Sequence, residues 1–137
     1  MLNLSDRYTV SHIIQSNMSS VDYVATSRNK LYCINCYTDT VTCSDLHGTI
    51  HWKFNDQRVL QGPFGISVDN DENVYVVGYN SNNVVVIFPD GQRHRQLLSS
   101  KDSLICPTVL DYEKSTNRLL VVNRIGGAFL FDVTRGQ

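Results

Sequence analysis

The hydrophobic positions of this chain fall in short runs, broken at close intervals by Gly, Pro, Asn and Asp. The pattern is clearest around residue 75. Gly65-Ile66-Ser67-Val68 is followed by the polar turn Asp69-Asn70-Asp71-Glu72, and then by Val74-Tyr75-Val76-Val77. The loop Gly78-Tyr79-Asn80-Ser81-Asn82-Asn83 leads into Val84-Val85-Val86-Ile87-Phe88. There Pro89-Asp90-Gly91 turns the chain into Gln92-Arg93-His94-Arg95-Gln96-Leu97. Four short β segments joined by turn-forming residues are predicted. The second and third are β-branched and almost continuously apolar, as strands covered on both faces are. No 3.6-residue apolar period accompanies them, so helical repeats are set aside.

The same pattern recurs. Lys30-Leu31-Tyr32-Cys33-Ile34, Asn73-Val74-Tyr75-Val76-Val77 and Arg118-Leu119-Leu120-Val121-Val122 stand in step, with 43 residues from Leu31 to Val74 and 45 from Val74 to Leu119. Gly48 precedes Gly91 by 43 residues, and Pro63 precedes Pro107 by 44. Three independent markers in one phase identify a repeat. Four strands in about 43 residues is the blade of a β-propeller. The predicted fold is therefore all-β, a partial propeller of about three four-stranded blades, with no helix beyond a turn or two. The blades span residues 21–54, 60–98 and 104–133. Residues 1–18 fall outside the phase and read as a remnant of a preceding blade or a junction.

Closed propellers need about 4–8 blades, so three cannot close a ring. Apolar blade faces are then expected to lie uncovered near residues 31–34 and 119–122. Such faces on a soluble chain call for a partner, and repeat arrays draw stability from contacts between units. Self-association, or further blades upstream in a longer protein, is the expectation.

Composition narrows the function. Hydrophobic residues make up 42% and charged residues 18%, a globular balance. With 12 Lys and Arg against 13 Asp and Glu, the net charge of -1 gives no broad pull toward nucleic acid or an anionic membrane. No run approaches the ~20 apolar residues that span a bilayer. Met1-Leu2-Asn3-Leu4-Ser5-Asp6-Arg7 lacks the basic-then-apolar order of a signal peptide. A cytoplasmic protein with no membrane partner is expected. Its four cysteines, Cys33, Cys36, Cys43 and Cys106, are too few and uneven for a disulfide scaffold and are expected as reduced thiols.

The middle unit, Gly62-Pro63-Phe64-Gly65-Ile66-Ser67-Val68-Asp69 through Asn73-Val74-Tyr75-Val76-Val77 and Asn83-Val84-Val85-Val86-Ile87, resembles the NHL repeat. The likeness covers about residues 20–133 and is looser in the outer units. The wording is similar to the C-terminal part of tripartite-motif NHL proteins as expanded in molluscs. That resemblance implies a propeller, six-bladed when complete, which selects a protein or RNA target for a ubiquitin ligase. The zinc modules that carry ligase activity in that family do not occur here. The family's acidic residue after the second strand is replaced by Gly78, with Asn35 and Asn123 at the matching places, and its basic residue opening the third strand by Asn83. Blade architecture carries over; a particular ligand site does not.

Candidate chemistry is sparse. Cys33-x-x-Cys36 with Cys43 and His47 invites a zinc reading. However, Cys33 aligns with Val76 and Val121, and Cys43 with Val86 and Phe129. Those are core strand positions where cysteine serves as a small hydrophobe, and residues three apart on a strand face opposite ways. His12, His47, His51 and His94 make no ligand set, and no nucleophile or phosphate-loop motif occurs. Asp69, Asp71 and Glu72 read as a polar turn before a calcium site. No catalytic residue, cofactor or metal is therefore expected. Arg93 and Arg95 share one face of the outermost strand, where charge protects a sheet edge and RNA contact is the second reading. Tyr37, Tyr79 and Arg124 occupy matching loops between second and third strands, and Tyr and Arg are frequent binding anchors. Three function classes follow. A protein-binding propeller leads, an RNA-binding propeller is the alternative, and a propeller hydrolase or lyase comes last.

Overall fold

In a computed structural model, residues 23–134 are described; the stretch 1–18, the start of the first unit and residues 135–137 lie outside them. The described chain forms strands only, apart from one capped 3-10 turn at Ser100–Asp102. Strands β1 (Tyr23–Ser27), β2 (Lys30–Asn35), β3 (Thr40–Asp45) and β4 (Ile50–Phe54) make one antiparallel sheet in sequence order. Strands β5 (Pro63–Val68), β6 (Val74–Gly78), β7 (Asn83–Ile87) and β8 (His94–Leu98) make the second. The third holds β9 (Pro107–Glu113), β10 (Arg118–Asn123) and β11 (Ala128–Asp132), three strands among the described residues. Strand β5 lies against β1 on one side and β9 on the other, so the first strands meet at the inner edge and the sheets stand as propeller blades.

The two cores lie between blades. Every residue of β6 and β7 is buried, and the two-residue period of a strand divides them between neighbours. Val74, Val76, Val85 and Ile87 join Tyr32, Ile34, Val41, Cys43 and Phe54 of the first blade. Tyr75, Val77, Val84 and Val86 join Leu110, Tyr112, Leu119 and Val121 of the third. Burying each such aliphatic side chain stabilises by about 1.5–3 kcal/mol. Leu60 and Leu104, in the linkers ahead of the second and third blades, are both fully buried and seal one core each.

Strand register corrects one alignment. Ile34 pairs with Val41 and Val77 with Val84, whereas Val122 pairs with Ala128, so the third hairpin is one residue shorter. Cys43 therefore corresponds to Val86 and Leu130, not to Phe129. The two end faces differ in make-up. Tyr32 and Ile34 face the second blade, and the opposite face of the first blade carries Val24, Leu31 and Cys33 beside Thr26, Thr42 and Ser44, with Val24 52% exposed. The third blade does present an apolar face: Leu119 and Val121 point inward, while Val109 and Leu130 are 50% and 58% exposed beside half-buried Leu120 and Val122.

Polar links between blades repeat as regularly as the strands. Asp39 closes the β2–β3 loop at φ 57, and its Oδ1 accepts from the Gly62 amide at 2.7 Å. Asn82 closes the β6–β7 loop at φ 53, and its Oδ1 accepts from the Cys106 amide at 2.8 Å. Both amides belong to the residue just before the proline that opens the next blade. That short polar clamp sets the spacing of consecutive blades. In the third hairpin the same place holds glycine, which has no side chain to clamp with.

A second substitution pair is compensatory. Asn123 ends β10 and donates from Nδ2 to the Ser103 carbonyl at 2.9 Å, tying linker to blade. Gly78 stands at that place in the second blade, where an added Cβ would lie 2.0 Å from Ser81 Oγ and 2.5 Å from Asn83 Oδ1. Its cross-strand partner Asn83 performs the task instead, donating to the Val59 carbonyl at 2.7 Å and to Gln96 at 2.9 Å. The two departures from the NHL pattern thus exchange one amide across one strand pair.

Candidate functional site: an aromatic and cationic rim

Antiparallel pairing puts the starts of β1, β5 and β9 at the same end as the loops 36–39, 79–82 and 124–127. Tyr23 pairs with Ile34 near the end of β2, and Pro63 with Gly78 at the end of β6. The Asp90–Gly91 turn joins the opposite ends of β7 and β8. One rim therefore gathers the inner strand entrances and three hairpin loops.

On it, four side chains touch in sequence. Arg124 Nη1 donates to the Tyr79 hydroxyl at 2.9 Å, across neighbouring blades. The Tyr79 ring meets Phe64 with centroids 5.7 Å apart, and Phe64 meets Tyr23 at 5.1 Å. Aromatic pairs at such separations are favourable in tilted geometry. Phe64 reaches this cluster because it is the extra residue of the bulge between Pro63 and Gly65. The backbone beneath is fixed: the Tyr79 amide donates to the Gly62 carbonyl at 2.8 Å, and the Arg124 amide to the Cys106 carbonyl at 3.0 Å. The hydrogen bond to Tyr79 raises the pKa of Arg124 and holds its charge in place.

Tyr37 shares the rim but not the cluster. The residue directly after β2 is Cys36, and it is Cys36 that matches Tyr79 and Arg124; the alignment of Tyr37 is one position late. Tyr37 is 86% exposed, and its amide donates to Asn35 Oδ1 at 2.9 Å. Phe64 and Tyr23, absent from the sequence-derived set, carry the cluster inward. The entrance Gly62-Pro63-Phe64-Gly65, read as the site of a bulge, marks Phe64.

The other candidates lie elsewhere. Arg93 Nε bonds Asp90 Oδ2 at 2.8 Å and its guanidinium sits 5.7 Å from the Phe88 ring centroid. The Gln92 amide, then Arg93, hold the Asp90 carboxyl down at about 2. Arg95 is exposed on β8, at the outer edge, away from this rim. Cys33 and Cys43 are buried in β2 and β3, and burial pushes both thiols upward. Cys33 pairs across with Thr42 and Cys43 with Tyr32, so the two thiols face opposite sides. Among the described residues no three His, Cys, Asp or Glu groups converge as a metal set.

Asp69 is fully buried and works inside its own turn. Its carboxylate accepts from the amides of Asp71 and Asn73 at 2.9 and 3.0 Å, from Asn73 Nδ2 at 2.9 Å and from the Tyr75 hydroxyl at 2.9 Å. Burial raises its pKa, and these donors, Asn73 foremost, lower it further than burial raises it. A cleft of about 500 Å³ runs along the far ends of the inner strands, between Thr26, Ser67, Asp111, Tyr112 and Lys114.

No family model matches the chain, and no curated protein matches it. Solved structures do. A catalytically inactive virginiamycin B lyase from Staphylococcus aureus, solved with quinupristin, is similar at 13% identity and a TM-score of 0.61, over 86% of this chain and 43% of that one. A streptogramin B lyase is similar at 11% identity and a TM-score of 0.58, over 80% and 39%. Kuenenia stuttgartiensis hydrazine synthase is similar at 14% identity and a TM-score of 0.70, over 91% and 36%. The chain spans less than half the length of each. Likeness at these identities concerns the fold, and the fold is that of a β-propeller.

Proposed function

We propose that this chain is a non-catalytic propeller module that recruits a protein target in the cytoplasm, in the manner of the target-selecting propeller of tripartite-motif NHL ubiquitin ligases. The contact from Arg124 to Tyr79, extended by Phe64 and Tyr23, carries this reading. Those groups bind rather than react: three aromatic rings supply rigid apolar area, and a guanidinium supplies direction. The rim also lies on loops and strand entrances held by a firm scaffold, where binding residues concentrate. The NHL resemblance of the middle blade supports the choice of a recruiting role.

RNA binding is the second reading, since aromatic rings beside arginine also stack bases. Charge favours protein: the net charge is -1, and Arg58, Arg93 and Arg118 are each paired with an aspartate. A pull-down with the full chain, read by mass spectrometry, is expected to return one enriched protein insensitive to ribonuclease. That protein should be lost with Tyr79→Ala and retained with Arg95→Ala. RNA homopolymer affinity that persists at ~150 mM salt, where exposed phosphate contacts are strongly screened, would reverse the order of the two readings.

A further inference from the structure

Resting on that reading, the rim can be given a ligand class. We propose that it takes an extended peptide segment in which an acidic side chain adjoins an aromatic or aliphatic one, the carboxylate on Arg124 and the apolar neighbour on Phe64 and Tyr79.

The argument begins with the charge. Lys30, Arg58, Arg93 and Arg118 each have a carboxylate of this chain within ion-pair distance, and Arg124, like Arg28, Lys53, Arg95, Lys101 and Lys114, has none among the described residues. What sets Arg124 apart is that its guanidinium is already held: among the described residues its side-chain partner is the Tyr79 hydroxyl, which accepts from one guanidinium nitrogen. Arg124 is exposed, and a planar guanidinium fixed through one nitrogen keeps further donors whose fork a carboxylate matches in geometry and charge. Preorganisation matters because ordering a free arginine consumes part of the binding energy.

The surroundings favour a peptide carboxylate over phosphate. Phosphate recognition commonly uses clustered arginines, and here one guanidinium bonds the first of three rings in serial contact, with the next residue, Ile125, exposed. Access is open on the loop side. Gly126 and Gly127 follow Ile125 with φ 105 and 120, and a Cβ on either would meet nothing within 4 Å. The apolar half of the ligand then lies over Phe64 and Tyr79, which are half-buried and held by their neighbours.

The test is fluorescence anisotropy of the full chain with short labelled peptides that alternate Phe with Glu, with Gln, with Lys or with phosphoserine, plus a Glu–Ala control. At ~150 mM salt the Glu–Phe peptide should bind at least about tenfold tighter than the Gln–Phe and Glu–Ala peptides. It should also bind more tightly than the phosphoserine peptide. Arg124→Gln should remove that advantage, and Arg124→Glu should transfer preference to the Lys–Phe peptide, a gain that misfolding cannot imitate. Equal binding of Glu–Phe and Gln–Phe, or no transfer with Arg124→Glu, overturns the proposal; a phosphoserine preference overturns the carboxylate. If no peptide binds while target capture still depends on Tyr79, the ligand class falls and the protein-binding rim stands. If capture ignores both Tyr79 and Arg124, the rim reading itself falls.

Discussion

Asp69→Ala is expected to destabilise the chain by about 3 kcal/mol, lowering the melting midpoint by roughly 10 °C. The reason is the number of donors that one buried carboxylate serves. Two backbone amides, the Asn73 amide group and the Tyr75 hydroxyl converge on it, and Asp69 itself is 0% exposed. Removing the acceptor takes the 2.9 Å bond from the Tyr75 hydroxyl, which is buried, and losing a bond to a buried charged acceptor costs about 1–3 kcal/mol. Tyr75 also stacks on Tyr112 of the next blade with centroids 4.9 Å apart, so loosening the turn loosens the second core. Asp69→Asn, which keeps one acceptor and turns the other into a donor, should show a smaller loss.

The same residue shapes the acid response. Its folded pKa lies below the ordinary value of about 3.9 for an unfolded Asp. Its contribution is therefore complete above about pH 4 and is lost as pH falls through the folded value. Thermal midpoints of the wild type between about pH 6 and pH 2.5 should fall more steeply at the acid end than those of Asp69→Asn. Parallel curves would remove Asp69 as an acid-sensitive support.

The second large effect is expected at Gly91. A Cβ there would lie 2.2 Å from Trp52 Cγ and 2.4 Å from its Cδ2, in the neighbouring blade, and the residue holds φ +74. Gly91→Ala should cost about 3 kcal/mol, combining overpacking of about 1–3 with left-handed strain of about 1–2. Replacing the indole isolates the first part. In a Trp52→Gly background, itself destabilised and lacking also the Trp52 Cβ that would lie 2.7 Å away, adding Gly91→Ala should cost only about 1–2 kcal/mol, the strain alone. Additive losses in denaturant titrations would show that the two residues do not meet, and with them the packing of the first blade's outer strand on the second would be wrong.

The architecture was legible because the signals for it are local and repeated. Strand runs, turn residues and the 43- to 45-residue step all recur, and burial on both faces left β6 and β7 without polar alternation. What escaped was long-range or out of step. The Asp39 and Asn82 clamps reach amides 23 and 24 residues away, and they differ in residue type, so neither spacing nor identity announces them. Gly78 and Asn83 read as two departures from the NHL pattern, and only strand register shows that one makes room for the other. The rim suffered from phase. Hairpins of unequal length put Leu130, not Phe129, in the place of Cys43, and the counterpart of Tyr79 is Cys36, one residue before Tyr37. Phe64 carries no signal of its own in the sequence, because a bulge, not alternation, brings it to the surface cluster.

The central claim is that this propeller binds its target through the Tyr79–Arg124 rim, and hydrogen–deuterium exchange of the full chain with and without the captured target tests it most directly. Binding there should slow exchange in loops 79–82 and 124–127 and at the Phe64 bulge, while β4 and β8 on the outer edge exchange as before. Protection confined to residues 93–96 on the outer edge, with the rim loops unchanged, would contradict the account.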